Sequence, residues 1–423
     1  MANGPVKYSS PTGISAPIPF TPGPVYIPPS VKQPDPFDSS LFHRRFKALR
    51  LKRHASYVSP PMPLQSITPA EYPALLADKL AQFNLAFAPF GAVPPTVVAS
   101  EPLHYRLRAE FRIFHDGPRV GYAMFAAANP KRPVTIDSFP VADESICALM
   151  PRLLALLQGS NTLKDGLFQV NFLATLSGEL MVTLIYHHLL GKRWEAAAQS
   201  LAATLEVQLI GRSKGQKIVL ARDWLLERFE LNGRQLSYQQ IEGSFTQPNG
   251  GVNRQMLAWA CQQAEKLDGD LLELYCGNGN FTVALAPLFE RVLATEVSKS
   301  SVQAARFNLA ANGLDNVAVV RLSSEEISAA FAGSQTFREL QGIDLARYRF
   351  STLFVDPPRS GLDAQTLALA LGFEHILYIS CNLQTLHDNV ASLQSSHAIT
   401  AATVFDQFPY THHLECGLLL TRR

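Results

Sequence analysis

From Tyr105 the chain alternates apolar and polar residues, with Tyr105, Leu107, Ala109, Phe111 and Ile113 on one side and Arg106, Arg108, Glu110 and Arg112 on the other. A period of two marks a half-buried strand, here with a basic outer face. HDGPRVGYAMF then turns at Asp116 and Gly117 into a partner strand, and LFQVNFLATLSGELMVTLIYH predicts a second hairpin around Ser177 and Gly178. Antiparallel sheet follows from both. Helical spacing in EAAAQSLAATL and a basic loop, GRSKGQK (211–217), complete a mixed α+β domain predicted over residues 62–240.

Beyond residue 240 the pattern changes to short apolar runs separated mostly by helical segments such as SSVQAARFNLAANG. GDLLELYCGNGN, RVLATEVS, NVAVVRLS, STLFVDPPRSG and HILYISCN read as strands of a mostly parallel sheet covered on both faces, an α/β domain over residues 241–423. Residues 1–61 fit neither pattern. They hold 12 of the 29 prolines and end in RRFKALRLKRH, a composition expected to be disordered or, since Met62 opens a new capped amphipathic helix pattern, not translated at all.

Charge refines this picture. The net +2 hides an asymmetry: residues 1–61 carry eight Lys/Arg against two Asp/Glu, leaving 29 basic and 33 acidic residues in the rest. Any nucleic-acid binding must therefore use a local basic patch. No run is apolar enough for a membrane helix and no secretory leader opens the chain, so a cytoplasmic protein with no membrane partner is expected. The five cysteines are scattered and include no CxxC pair, which argues against a disulfide framework, an iron–sulfur cluster or a metal site.

In an open parallel sheet ligands bind beyond the carboxyl ends of the strands. LLELYCGNGNF ends a strand in Gly277 and Gly279, where a backbone can approach a ligand closely, and Glu296 ends the next strand, placed to accept hydrogen bonds from ribose hydroxyls. Thr282 stands where a dinucleotide fingerprint has its third glycine, and no phosphate-binding lysine follows, so a dinucleotide or nucleoside triphosphate is disfavoured. S-adenosylmethionine, an adenosine without phosphates, fits better. FVDPPRSG places Asp356 and Arg359 on a proline-stiffened loop, and LYISCN places Cys381 at a strand end in the same row. A thiol beside a methyl donor has a chemical reason: thiolate addition at C6 of a pyrimidine creates a carbanion at C5, which takes the methyl, and a base must then remove the C5 proton. FPYTHHLECGLLL supplies His412, His413 and Glu415 as candidates for that base. Cytosine-5 methylation uses the same logic, but its enzymes tend to carry a cysteine in or beside the proline loop, and DPPRSG has none. A noncatalytic RNA-binding or folding module is the alternative from another class.

These motifs, in order from about Met62 to the C-terminus, resemble the bacterial tRNA (uracil-5-)-methyltransferases of the TrmA type: YRLRAEFRIFHDG, SFTQPN, LLELYCGNGNF, FVDPPRSGLD, LYISCN and FDQFPYTHHLECG. The resemblance implies a Rossmann-like methyltransferase domain behind an RNA-binding domain, and S-adenosylmethionine contacts at Gln247, Tyr275, Asn280, Glu296 and Asp356, with Gly277 in the same loop. It implies Cys381 as nucleophile and Glu415 as proton acceptor, with His412 and His413 shaping the loop. It further implies the T-loop uridine of tRNA as substrate, with the matching loop of transfer-messenger RNA as a second target. Methylation of a ribosomal RNA uridine is the nearest alternative within that chemistry. Arg106, Arg108, Arg112 and Arg359 are the candidate RNA contacts, and a monomer is expected. One departure stands out: the family reads S-C-N-P-x-T, and here Leu383 replaces the proline.

Overall fold

The structure, a computed structural model, describes residues 67–126 and 129–423; the expectations about residues 1–61 lie outside the described residues. Helix α1 (Tyr72–Phe87) and strand β1 (Thr96–Val98) come first. A seven-stranded sheet follows, built from β2 (Arg108–Asp116), β3 (Arg119–Ala126), β4 (Asn129–Ile136), β5 (Leu167–Ala174), β6 (Leu180–Tyr186), β7 (Gln208–Ser213) and β8 (Gln216–Val219). Its order is β4-β3-β2-β5-β6-β7-β8, antiparallel except between β6 and β7. Helices α2 (Glu144–Gly159) and α3 (Lys192–Leu205) bury their apolar stripes against one face of it, over Ala109, Phe111, Ile113, Val170 and Phe172. Both hairpins turn where the sequence predicts, with Asp116 opposite Arg119 and Ala174 opposite Leu180.

The first strand starts later than its alternation suggests. Through residues 105–107 the Arg106 amide bonds Val141 O (2.9 Å) and the Leu107 amide bonds Pro248 O (2.7 Å), so the stretch is stitched to two loops and reaches β5 only at its end, where the Leu107 carbonyl accepts from the Ala174 amide (2.8 Å) and pairing begins at Arg108. His104, at φ 55°, turns the chain into that path.

A two-stranded ribbon, β9 (Trp224–Leu231) and β10 (Arg234–Ile241), precedes an eight-stranded sheet. The latter holds β11 (Asp270–Leu274), β12 (Val292–Thr295), β13 (Val317–Val320), β14 (Phe350–Val355), β15 (His375–Ser380), β16 (His397–Phe405) and β17 (Glu415–Arg422), with β1 as its eighth strand. The order β1-β16-β17-β15-β14-β11-β12-β13 has five parallel strands, β15 to β13, and β17 running antiparallel between β15 and β16. All five strands read from the sequence are present. Helices α4 (Gly250–Ala264), α5 (Asn280–Leu285), α6 (Lys299–Ala311), α7 (Ser324–Phe331), α8 (Ala364–Ala370) and α9 (Leu383–Leu393) connect them. The chain runs β11, β12, β13 towards one edge and then returns to β14 on the other side of β11, which makes the gap between β11 and β14 the topological switch point.

Residues 241–423 do not form this sheet alone. β1 pairs in parallel with β16, and Phe83 and Phe87 of α1 pack into the same core as Leu386 and Val390 of α9. Lys79 of α1 is buried and bonds Asp406 (2.6 Å) and Phe408 O (2.9 Å), just after β16. Burial pulls the Lys79 ammonium down from its usual range and Asp406 opposes that. Removing one partner of such a pair strands a buried charge, so Lys79→Met is expected to destabilise the protein by about 3–5 kcal/mol in urea unfolding, and Lys79→Met with Asp406→Leu to lose less. Equal losses for both variants would remove the ion pair from the account. No described helix is long and apolar enough to cross a membrane.

Candidate functional site

The sheet register brings the sequence candidates into one row. Leu274 pairs with Val355, and Glu273 with Ala294, so one residue past the first pair and two past the second Tyr275 stands between Asp356 and Glu296. On the other side of β14, Ser380 of β15 pairs with Cys416 of β17, so the next position sets Cys381 opposite Glu415. Directly opposed residues in an antiparallel pair hold their Cβ atoms about 4.5–5.5 Å apart. Five adjacent strands, β12, β11, β14, β15 and β17, thus deliver Glu296, Tyr275, Asp356, Cys381 and Glu415 along one edge.

Two cavities flank Tyr275. One is lined by Gln247, Tyr275, Gly277, Asn280 and Asp356 from the sequence set, and by Glu227, Phe229, Phe245 and Asn253. The other is lined by Glu296, Val297, Ser324, Glu325 and Asp363. Neither lining contains a lysine or arginine, and both contain carboxylates, a donor set suited to a cationic ligand without phosphates. The wall between them is held by the loop itself. Tyr275 adopts a left-handed conformation (φ 61°) and its hydroxyl donates to Ser324 Oγ (2.7 Å). Gly277 (φ 57°) donates its amide to Glu296 (3.1 Å), and a Cβ there would meet nothing within 4 Å, so its backbone faces open space. Glu296 also accepts from the Ser298 amide (2.7 Å). Asn280 exchanges amide hydrogen bonds with Asn253 (2.9 and 3.1 Å), and Gln247 accepts from Gln407 Nε2 (3.2 Å).

The thiol and the carboxyls share one electrostatic environment. Burial pushes Asp356 up to about 7. Glu415 lies far above the usual carboxylate range because it is buried and faces Asp356, with Arg359 partly offsetting. Burial, then Glu415 and Asp356, push the Cys381 thiol up to about 11, and Arg359 pulls it down. Cys416 is fully buried on the other face of β17, among core residues such as Leu386 and Leu414, so it takes no part in this row. Among the described residues no cluster of His, Cys, Asp or Glu could hold a metal ion. His413 lies against Arg359 (Nη2 to Nδ1 2.6 Å), and burial, His412 and Arg359 push its imidazole down to about 4, which leaves it neutral.

The proline and thiol loops are tied together through Arg359, whose carbonyl accepts from Asn382 Nδ2 (2.8 Å) and Thr385 Oγ1 (3.3 Å). The same Asn382 caps α9, accepting from the Gln384 amide (3.1 Å). Leu383 is the first residue of that helix, where proline is favoured because its missing N–H has no partner to lose. The cap explains why leucine is tolerated. Leu383→Pro is accordingly expected to change stability by less than about 1 kcal/mol and to keep the site intact; a thermal shift of more than about four degrees either way would contradict this.

The arginines proposed for RNA are less free than their alternation implies. Arg106 Nε donates to Arg108 O (2.8 Å), and Arg108 Nη1 donates to Ser244 O (2.7 Å), clamping the SFTQPN segment that carries Gln247. Arg112 stacks on Phe168 (3.9 Å from the ring centroid). Arg359 is exposed at the rim beside the thiol loop. Sequence reading missed three groups. Glu227, pushed up to about 7 by burial, lines the first cavity and accepts from the Leu176 amide (2.9 Å), joining the ribbon to the turn between β5 and β6. Glu273 is buried in β11. Gln407, fully buried, accepts from the Asn249 amide (3.2 Å) while orienting Gln247. Only Glu273 left a trace, as a carboxylate inside an apolar strand.

The sequence profile described as tRNA (Uracil-5-)-methyltransferase matches residues 71–423. A tRNA/tmRNA (uracil-C(5))-methyltransferase of Aromatoleum aromaticum is 69% identical over 362 residues, covering 86% of this chain and 98% of that protein. Those of Dechloromonas aromatica, 67% identical over 86% of this chain and 100% of that protein, and Pseudomonas entomophila, 54% over 84% and 98%, bear the same name. Among solved structures, the Pyrococcus abyssi tRNA (uracil-54, C5)-methyltransferase in complex with S-adenosyl-L-homocysteine shares the fold, with a TM-score of 0.64 at 19% identity over 83% of each chain. The profile spans both large sheets and every motif in the row, and on that ground the chain belongs to the tRNA (uracil-5-)-methyltransferase family.

Proposed function

We propose that the protein methylates C5 of the T-loop uridine of tRNA, and the equivalent loop of transfer-messenger RNA, with Cys381 as nucleophile and Glu415 as proton acceptor. The observation that carries this is the register of β15 and β17, which sets a thiol opposite a carboxyl at the end of a row of cofactor-type residues. S-adenosylmethionine would supply the methyl group. Glu296 would accept from its ribose hydroxyls, Gly277 and Asn280 would offer backbone and amide, and Gln247, Tyr275 and Asp356 would line its amino-acid and sulfonium end. The acidic, lysine-free lining supports that fit.

Cys381 adds through Sγ to C6 of the uracil, leaving the electron pair at C5. After methylation at C5, Glu415 removes the C5 proton, the double bond re-forms, and the C6–S bond breaks with its electron pair returning to Cys381. Arg359 at the rim stabilises the thiolate as a neighbouring cation. A uracil stacked in a folded loop must be everted to reach this row, and the seven-stranded domain with Arg106, Arg108 and Arg112 is the surface that would hold the RNA. Purified protein incubated with an unmodified tRNA transcript and labelled S-adenosylmethionine, followed by nucleoside mass spectrometry, should yield 5-methyluridine at the T-loop. Appearance of 5-methylcytidine, or no product beside an active control, would overturn the assignment.

A further inference from the structure

The loop that leads from β16 to Glu415 also reaches the first cavity, through Gln407. Its backbone is fixed on both sides. Asp406 donates its amide to Val98 O of β1 (2.9 Å) and is bonded by Lys79, which also donates to Phe408 O (2.9 Å). Between these anchors the fully buried Gln407 side chain has every polar atom engaged. Oε1 accepts from the Asn249 amide (3.2 Å), and Nε2 donates to Gln247 Oε1 (3.2 Å) and to Met256 Sδ (3.0 Å). Asn249 is itself held, donating through Nδ2 to Ser100 Oγ (2.7 Å) and accepting from the Val252 amide (3.0 Å) as the cap of α4.

An amide side chain can be turned end for end, but here its direction is forced. A backbone N–H can only donate, so the Gln407 atom facing Asn249 is the oxygen and its nitrogen faces Gln247. That nitrogen donates in turn, so Gln247 must meet it with Oε1. What remains to Gln247 is its NH2 group, without a partner among the described residues, on a side chain that lines the cavity. The same lining offers the carboxyls of Glu227 and Asp356 to a cationic group but no lysine or arginine to an anionic one, and the Asn253 and Asn280 amides bond each other. The amino-acid end of S-adenosylmethionine carries both an ammonium and a carboxylate. We infer that Gln407 is a positioning residue for ligand specificity: by occupying Gln247 Oε1 it keeps the Gln247 N–H turned to the ligand's carboxylate. This rests on the reading of the cavity as the site of the donor's amino-acid end. Turned the other way, Gln247 would set a carbonyl against a carboxylate, two acceptors with no proton between them. The loop that carries the proton acceptor thereby also orients recognition of the methyl donor.

The test compares two ligands in titrations of the full chain: S-adenosylhomocysteine, and 5′-methylthioadenosine, which keeps the adenosine and the sulfur but lacks the amino-acid end. Gln407→Met should weaken the first by about three- to tenfold, the scale of one hydrogen bond, and leave the second within about twofold. In a Gln247→Ala background Gln407→Met should add no further loss, because the group it acts through is gone. Gln247→Glu examines the orientation even where Gln407→Met does not fold. Its carboxylate still accepts from Gln407 but offers oxygen to the ligand, so it should bind S-adenosylhomocysteine more weakly than Gln247→Ala. Equal weakening of both ligands by Gln407→Met, additive losses in the double variant, or parent-like binding by Gln247→Glu would each overturn the inference. A raised KM for tRNA in Gln407→Met with unchanged affinity for S-adenosylhomocysteine would overturn it too, by moving the acceptor to the RNA base. Failure of the parent protein to bind S-adenosylhomocysteine would instead overturn the cofactor reading itself.

Discussion

Cys381→Ala is expected to lower methylation of tRNA by at least about 10⁴-fold, the scale seen when a covalent nucleophile is removed. The reason is specific to C5, which is too weak a nucleophile until a thiolate has added at C6. The variant should form no RNA adduct that survives denaturing electrophoresis. Its affinity for S-adenosylhomocysteine should stay within about twofold of the parent, because the cavities are lined from the loops of β11, β12 and β14 rather than by Cys381. Its stability should also be kept, since the thiol is only half-buried and Asn382 and Ser380 hold that turn. Residual turnover above about one per cent would mean that another group adds to the ring.

The second large effect separates the two chemical steps. Glu415→Gln keeps the shape and much of the hydrogen-bonding capacity of the side chain while removing its ability to accept the C5 proton. Adduct formation and methyl transfer should persist, and release should slow by about 10²–10⁴-fold, the usual contribution of a positioned base. A single-turnover experiment would then show stoichiometric methyl incorporation trapped as a protein–RNA complex. Rapid release would assign the proton to a different acceptor. Loss of the adduct itself would make Glu415 a partner of thiol activation instead. Together with Cys381→Ala, which should give no complex at all, this variant orders the reaction without any further assumption.

Sequence periodicity is most informative where one physical constraint dominates. The five parallel strands are buried on both faces and therefore stand out as short apolar runs. Each ends in a polar loop, which is why the positions of Tyr275, Glu296, Asp356 and Cys381 at strand ends are legible in the sequence. Alternation is equally clear for β2, yet it places the start at Tyr105, because hydropathy records which face is buried and not which backbone supplies the hydrogen bonds. The exposed basic face read from Arg106, Arg108 and Arg112 is altered in the same way. Arg108 reaches back to Ser244 across 136 residues of chain, a contact no local pattern encodes. Glu227 is invisible because in β9 it occupies an ordinary polar slot, and only the packing of the ribbon against the turn between β5 and β6 encloses it.

The sequence by itself determined the class of the protein: two sheets of different kind and a phosphate-free cofactor chemistry. These depend on residue type and on short-range periodicity, which the chain carries locally. The tertiary structure alone decided the relation between the parts. β17 enters antiparallel beside β15, and that single choice of register sets Glu415 opposite Cys381 across 34 residues. The helix and strand that open the described chain are docked on the far side of the same sheet, held by Lys79 and Asp406. Glu273 and Glu415, unremarkable one by one along the chain, are enclosed only because the sheet packs around them, and burial there raises both carboxyls above their ordinary range.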